Sequence, residues 1–276
     1  MNLRSRSLAV FAMVGLLTNF VPSAFVRAET VAASPGDLIR GTTFSAVYYM
    51  GEDGFRYVFP NDKTYFTWYS DFSAVKMLSD ADLATIQMGG NVTYRPGVKM
   101  IKINSDPKVY FVTAGGVLRW VSTETDAEGM YGAQWNTMID DVPDGFFGNY
   151  TIGDVLDLST VTSGPASVPS ATQLGTPSIT DDKGLTAFAE VSIENMMFGG
   201  GDSDQFTIAA GQTMKFINND AVSHTATADD DSWGTGTMKE GQSFVRRFST
   251  SGTYTFHCSY HPDMTGTIVV TAAETM

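Results

Sequence analysis

Seven short runs in the last third of the chain alternate apolar and polar residues with period two. They are "FAEVSI" (188–193), "DQFTI" (204–208), "TMKFIN" (213–218), "SHTATA" (223–228), "SFVRRF" (243–248), "TYTFHC" (253–258) and "TIVVT" (267–271). In an extended strand that period sends alternate side chains to opposite faces, so each run predicts a strand buried on one side. Turn material such as "FGGGDSD", "NND" and "TSG" separates them. Short strands at this spacing predict a β-sandwich or barrel, and about 90 residues suffice for one core.

The first half carries a second pattern, and it repeats. "VYYMGEDGFRYVF" (47–59) and "VYFVTAGGVLRWVS" (109–122) each read as a strand, a glycine turn and a second strand with Arg ahead of an aromatic. Gly54 corresponds to Gly116, Arg56 to Arg119 and Tyr57 to Trp120. "SDADLA" (79–84) and "STETDAEGMYG" (122–132) place acids just after Ser or Thr, the signal of a helix start. The pattern predicts two similar units, about 44–90 and 106–153, each a β-hairpin plus a short helix, forming one module over 35–153. Five aromatics crowd "YFTWYSDF" (65–72). Filling two small cores is the reading their burial favours. A sugar-stacking platform is the functional alternative, and it would make 35–153 a contact for cell-wall glycan. The Ser/Thr/Pro-rich stretch 154–183 predicts an extended linker, which leaves 184–276 as the β domain. The fold class is therefore mainly β, with a duplicated α+β module ahead of a C-terminal sandwich.

Charge and targeting narrow the setting. The net charge is −13, spread along the chain without a basic patch, which disfavours nucleic acid and anionic membrane as partners. Arg4 and Arg6 precede an apolar run from Leu8 to Val21, and Val26-Arg27-Ala28 ends in small residues suited to cleavage. Residues 1–28 thus read as a secretory signal peptide, with an uncleaved anchor as the alternative. No later stretch is apolar for long enough to span a bilayer. The expected location is extracytoplasmic: periplasmic, secreted or at the cell surface. In such a compartment the single cysteine, Cys258, has no partner for an intramolecular disulfide and needs another role.

"HCSYHPDM" (257–264) supplies one. The three histidines, His224, His257 and His261, all lie in the β domain. Period two along "TYTFHC" puts Tyr254, Phe256 and Cys258 on one face, with Thr255 and His257 on the other. Past the strand end, His261 and Met264 can curl back towards Cys258, helped by the stiff Pro262 and by Gly266. Two histidines, one cysteine and a weak axial methionine are a blue-copper donor set, and His224 is the remaining histidine in an alternating run. A structural zinc site usually brings paired cysteines. A nucleophilic Cys258 activated by His224 or His261 needs no methionine. A buried structural thiol leaves His261 idle.

Residues 184–272 resemble a cupredoxin of the plastocyanin/amicyanin group. "NNDAVSHTAT" is similar to the stretch that supplies the first histidine, and "GTYTFHCSYHPDMTGTIVV" to the ligand loop and last strand. The Cys-x-x-His-x-x-Met spacing is that of the short, amicyanin-like loop. The resemblance implies an eight-strand Greek-key sandwich and one mononuclear type 1 copper held by His224, Cys258, His261 and, axially, Met264. It implies a carrier of single electrons between redox protein partners, not an enzyme. His261 would be the electron port, with Pro262 and Met264 as its apolar rim. Two positions depart from the pattern. Thr225 stands where relatives often have an asparagine that fixes the ligand loops. Tyr260 stands where amicyanin-type relatives have proline, so its N–H is free to aim at the Cys258 sulfur. The rival reading is a copper-binding or storage protein, or a glycan-binding surface protein, in which 35–153 does the work.

Overall fold

Two five-stranded sheets of the same topology build the first module. In the computed structural model, which describes residues 33–155, 177–201 and 204–273, the first sheet holds β1 (Leu38–Arg40), β2 (Tyr48–Met50), β3 (Arg56–Val58), β4 (Val75–Met77) and β5 (Met88–Asn91). The second holds β6 (Met100–Ile103), β7 (Asp106–Thr113), β8 (Val117–Val121), β9 (Ile139–Val142) and β10 (Thr151–Ile152). In each, three antiparallel strands are flanked by two parallel ones, in the orders β4-β1-β2-β3-β5 and β9-β6-β7-β8-β10. The two repeated hairpins are β2–β3 and β7–β8. Their cross-strand neighbours correspond: Tyr49 faces Tyr57, and Tyr110 faces Trp120. The segment 1–28 read as a signal peptide lies outside the described residues.

The helices correct one pairing made from sequence. "SDADLA" forms α2 (Asp80–Thr85), capped by Ser79, but its counterpart is the short α4 (Asp144–Phe147), each preceding the last strand of its sheet. The counterpart of α3 (Glu124–Tyr131) is α1 (Asp62–Trp68), which runs through the aromatic stretch. Its start is an Asn61 side chain accepting from Thr64 N at 2.8 Å. An asparagine cap without an acid three residues on is a weaker sequence signal than a Ser or Thr capping box. Within that stretch Tyr65 is buried and stacks on Phe72 at 4.4 Å, while Phe66 and Phe72 stay half exposed. The aromatics thus fill a core and also leave rings at the surface.

The end of the expected linker is ordered. Ser178 and Asp181 form a capping box on α5 (Ile179–Lys183). Ile179 is buried in the core of the first repeat, and the buried Asp182 carboxylate accepts from Gly115 N at 3.0 Å. Local capping plus one apolar anchor outweighs the polar composition here. Residues 156–176 of the linker lie outside the described residues.

The C-terminal domain is a sandwich of β11 (Ala189–Glu194), β12 (Met197–Phe198), β13 (Gln205–Ala209), β14 (Thr213–Asn218), β15 (Thr227–Ala228), β16 (Ser243–Arg247), β17 (Gly252–Cys258) and β18 (His261–Thr271). One sheet runs β12-β11-β14-β16 and the other β13-β18-β17-β15. Phe256 packs edge-on against Phe198 at 4.6 Å and Phe216 at 5.6 Å, all three fully buried. Each such ring contributes about 1.5–3 kcal/mol by burial. Gly266 runs directly over the Phe256 ring, where a Cβ would lie 2.4 Å from Cζ. That close approach, rather than a turn, is why glycine stands there.

The module and the sandwich touch through specific bonds. Gln87 Oε1 accepts from Val245 N at 2.6 Å, covering part of the edge strand β16. The buried Asp53 carboxylate accepts from Tyr57 OH and pairs with Arg247, while its carbonyl accepts from Thr213 Oγ1 at 3.0 Å.

Candidate metal centre

The ligand end of the sandwich begins with β14. Its last residue, Asn218, is fully buried, and its side-chain amide donates to Val222 O at 2.8 Å and Met238 O at 2.9 Å. Those two bonds clamp the loop that follows. His224 then bridges backbone to backbone with Met238, through His224 N to Met238 O and Met238 N to His224 O. "SHTATA" is therefore not one strand: only Thr227–Ala228 continues as β15, because the clamped loop turns His224 into the sandwich first. The ring of His224 is 0% exposed.

The second contribution comes from β17 and the turn after it. Phe256 and Cys258 are both fully buried, and His257 points the other way, where its Nδ1 meets Asp229 at 2.7 Å. The register slips between His257 and Cys258, so Cys258 pairs with His261 across the tight turn into β18. That slip folds His261 back over the strand end. Cys258 Sγ lies 3.7 Å from His224 Nδ1 and 3.5 Å from His261 Nδ1. The three donor atoms all fall within 4.8 Å of one another. Met264, 5% exposed, packs in the same core cluster as Cys258 and His224's bridge partner Met238. It is buried, so it does not form the apolar rim expected around His261; Pro262 and the exposed Tyr260 are what flank that ring at the surface.

Bond lengths give a test of these separations. With metal–sulfur near 2.3 Å and metal–nitrogen near 2.0–2.1 Å, as in zinc sites, and angles between tetrahedral and trigonal, sulfur and nitrogen lie about 3.5–3.8 Å apart. Both observed separations fall in that window.

Several contacts around the donors went unread in the sequence. Thr225 N donates to Cys258 Sγ at 3.3 Å. This, among the described residues, is the amide that reaches the sulfur, in place of the Tyr260 N–H expected from the loop. Thr225 Oγ1 accepts from Ser259 N at 2.8 Å, and its hydroxyl joins those of Thr227 and Ser259 in a small ring. The threonine thus ties the two ligand loops together. On the other side, His224 Nε2–H donates to Asp220 Oδ2 at 3.0 Å, which leaves Nδ1 as the free lone pair facing the sulfur. Asp220 also accepts from Asn195 N at 2.8 Å and Met196 N at 2.9 Å. Burial opposes its ionisation, but these amides and the His224 ring together hold the carboxyl below its ordinary range. The only hint in the sequence was "NND", which read as turn material.

Comparison with known proteins agrees with this geometry. A family model described as copper binding proteins, plastocyanin/azurin family, matches residues 186–271. Amicyanin of Paracoccus denitrificans is 26% identical over 110 residues, 38% of this chain and 78% of that protein. Plastocyanin of Scenedesmus fuscus is 34% identical over 77 residues, 23% of this chain and 79% of that protein. The chain belongs to the plastocyanin/azurin family. A solved structure of reduced amicyanin, a tryptophan-to-tyrosine variant, aligns at 27% identity over 30% of this chain and 82% of that one, with a TM-score of 0.28. Membership of the plastocyanin/azurin family makes copper the cofactor. The cluster fits it: two imidazole nitrogens and a cysteine sulfur are donors that suit copper.

Proposed function

We propose that the protein is an exported type 1 blue-copper carrier that passes single electrons between redox protein partners and turns over no substrate. His224 Nδ1, the Cys258 thiolate, His261 Nδ1 and the Met264 thioether would hold the copper. The observation that carries this reading is a buried sulfur facing two imidazole Nδ1 atoms at 3.5 and 3.7 Å. Copper, when bound, supplies a one-electron couple between Cu(I) and Cu(II). The chain supplies a frame that changes little between the two. Thr225 N–H holds the sulfur, Asp220 orients His224, and the hydroxyl ring of Thr225, Thr227 and Ser259 locks the loops. His261 is partly exposed and is the electron port, with the Tyr260 ring 6.4 Å away edge-on. Export rests on the charged, apolar, small-residue order of 1–28. Among the described residues no helix is long and apolar enough to cross a membrane.

Colour tests the centre. With Cu(II) the full chain is expected to show an intense visible thiolate-to-copper band, lost in Cys258→Ser and in His224→Ala. His257→Ala keeps it, because that ring pairs with Asp229 on the far face of the strand. A band that bleaches on losing His257, or survives losing His224, overturns the ligand set.

A further inference from the structure

The hairpin between β11 and β12 turns on two residues, Asn195 and Met196, both at positive φ (54° and 64°). Two-residue turns of this kind favour Asn-Gly, and glycine at the second position would carry no steric cost. A methionine stands there instead, 43% exposed, followed by Met197, 45% exposed. The turn is held in this shape from the copper side, since Asp220 accepts both of its amides and also the His224 ring. Beside the turn lies a groove of about 390 Å³ whose lining includes Met196, Met197, Met264, Asp204 and Asp263. Three methionines therefore line one groove, and one of them is the residue proposed above as a copper ligand.

We propose that this groove is a second metal site, a receiving site for Cu(I) on its way to the buried centre. Thioethers are soft donors that select Cu(I) over harder cations, and the two carboxylates draw a cation in from solvent. Met196 and Met197 bind at the mouth, and Met264, at the inner wall, faces both the groove and the core cluster of Cys258. Binding needs no electron and no proton, because thioethers are neutral. The proposal rests on the copper reading for its destination, but its own donors are independent of His224, Cys258 and His261.

The test uses the full apo chain, methyl-labelled at methionine, titrated with Ag(I) as a redox-inert stand-in for Cu(I). The first equivalent is expected at the thiolate, and the second is expected to move the methyl signals of Met196 and Met197. In chelator competition the Met196→Leu/Met197→Leu chain takes up one equivalent fewer than wild type. Met196→Gly, which also removes the positive-φ cost, keeps the fold and loses the Met196 signal and the second equivalent. An unchanged stoichiometry in the leucine chain, or methyls that stay in place, overturns the site and makes the two methionines an apolar lip only. The visible band with Cu(II) is read separately in the same chains. A blue leucine chain with wild-type Ag(I) uptake defeats the groove and leaves the carrier intact; a colourless wild type whose methyls move does the reverse.

Discussion

Asp220 shows how one side chain ties local shape to the metal. In the proposed centre its carboxylate would fix the His224 tautomer and make the ring a better donor, favouring Cu(II) over Cu(I). Asp220→Asn is expected to raise the reduction potential. If about 1 kcal/mol differs between the oxidation states, the shift is on the order of 40 mV for one electron. Voltammetry checks it, and an unchanged or lowered potential in an intact blue site contradicts it. The same residue sets a pH dependence. Its folded-state pKa is depressed, so its stabilisation is complete above the unfolded value near 3.9 and is lost as pH falls through the lower folded value. The melting temperature of Asp220→Asn should therefore fall less than that of wild type as pH drops below about 4. The Cys258 and His261 pair of the candidate cluster was legible in the sequence because one loop carries both at fixed spacing. Asp220 was not, because its amide partners lie 24 and 25 residues upstream in a hairpin whose register no local pattern reveals. Thr225 was noticed only as a departure, and its bond to Ser259 depends on bringing loops 34 residues apart together.

At the scale of elements, the sandwich strands were readable because each buries one face and keeps strict alternation. The exceptions are informative. "SHTATA" alternates, yet the Asn218 clamp and the Met238 bridge bend its first half into a loop. In the first module the hairpins were visible as a repeat, but α1 was hidden behind its aromatics, since a seven-residue helix offers too few turns for a 3.6 period to stand out. The β17–β18 pair carries the ligand turn, and its register depends on Gly266 passing over Phe256. Gly266→Ala is expected to destabilise the domain by about 1–3 kcal/mol, the usual cost of forcing a methyl into a filled core. Urea unfolding of the apo chain measures it. The blue band of the variant should weaken as well, because the displaced strand holds both His261 and Met264. A variant as stable as wild type would mean that Phe256 moves aside freely.

Across the whole molecule, the bonds between module and sandwich join residues up to 194 apart, so no local pattern announces them. Asp53 is their hub. Asp53→Ala takes the acceptor from the buried Tyr57 O–H and leaves Arg247 only the Tyr57 oxygen, at an expected cost of about 1–3 kcal/mol, moderated by the exposure of the arginine. Thermal melting measures that loss, and the visible copper band is expected to be unchanged. The direction of β14 explains the second expectation. Thr213, at its start, touches Asp53, and Asn218, at its end, clamps the loop of His224. At 3.3 Å per residue the strand separates the two by about 17 Å. The repeats therefore grip the sandwich at one pole, and the His224, Cys258 and His261 cluster lies at the other. A body held by its base keeps its tip available, so a partner docking at His261, as proposed, would meet ground that the repeats leave clear.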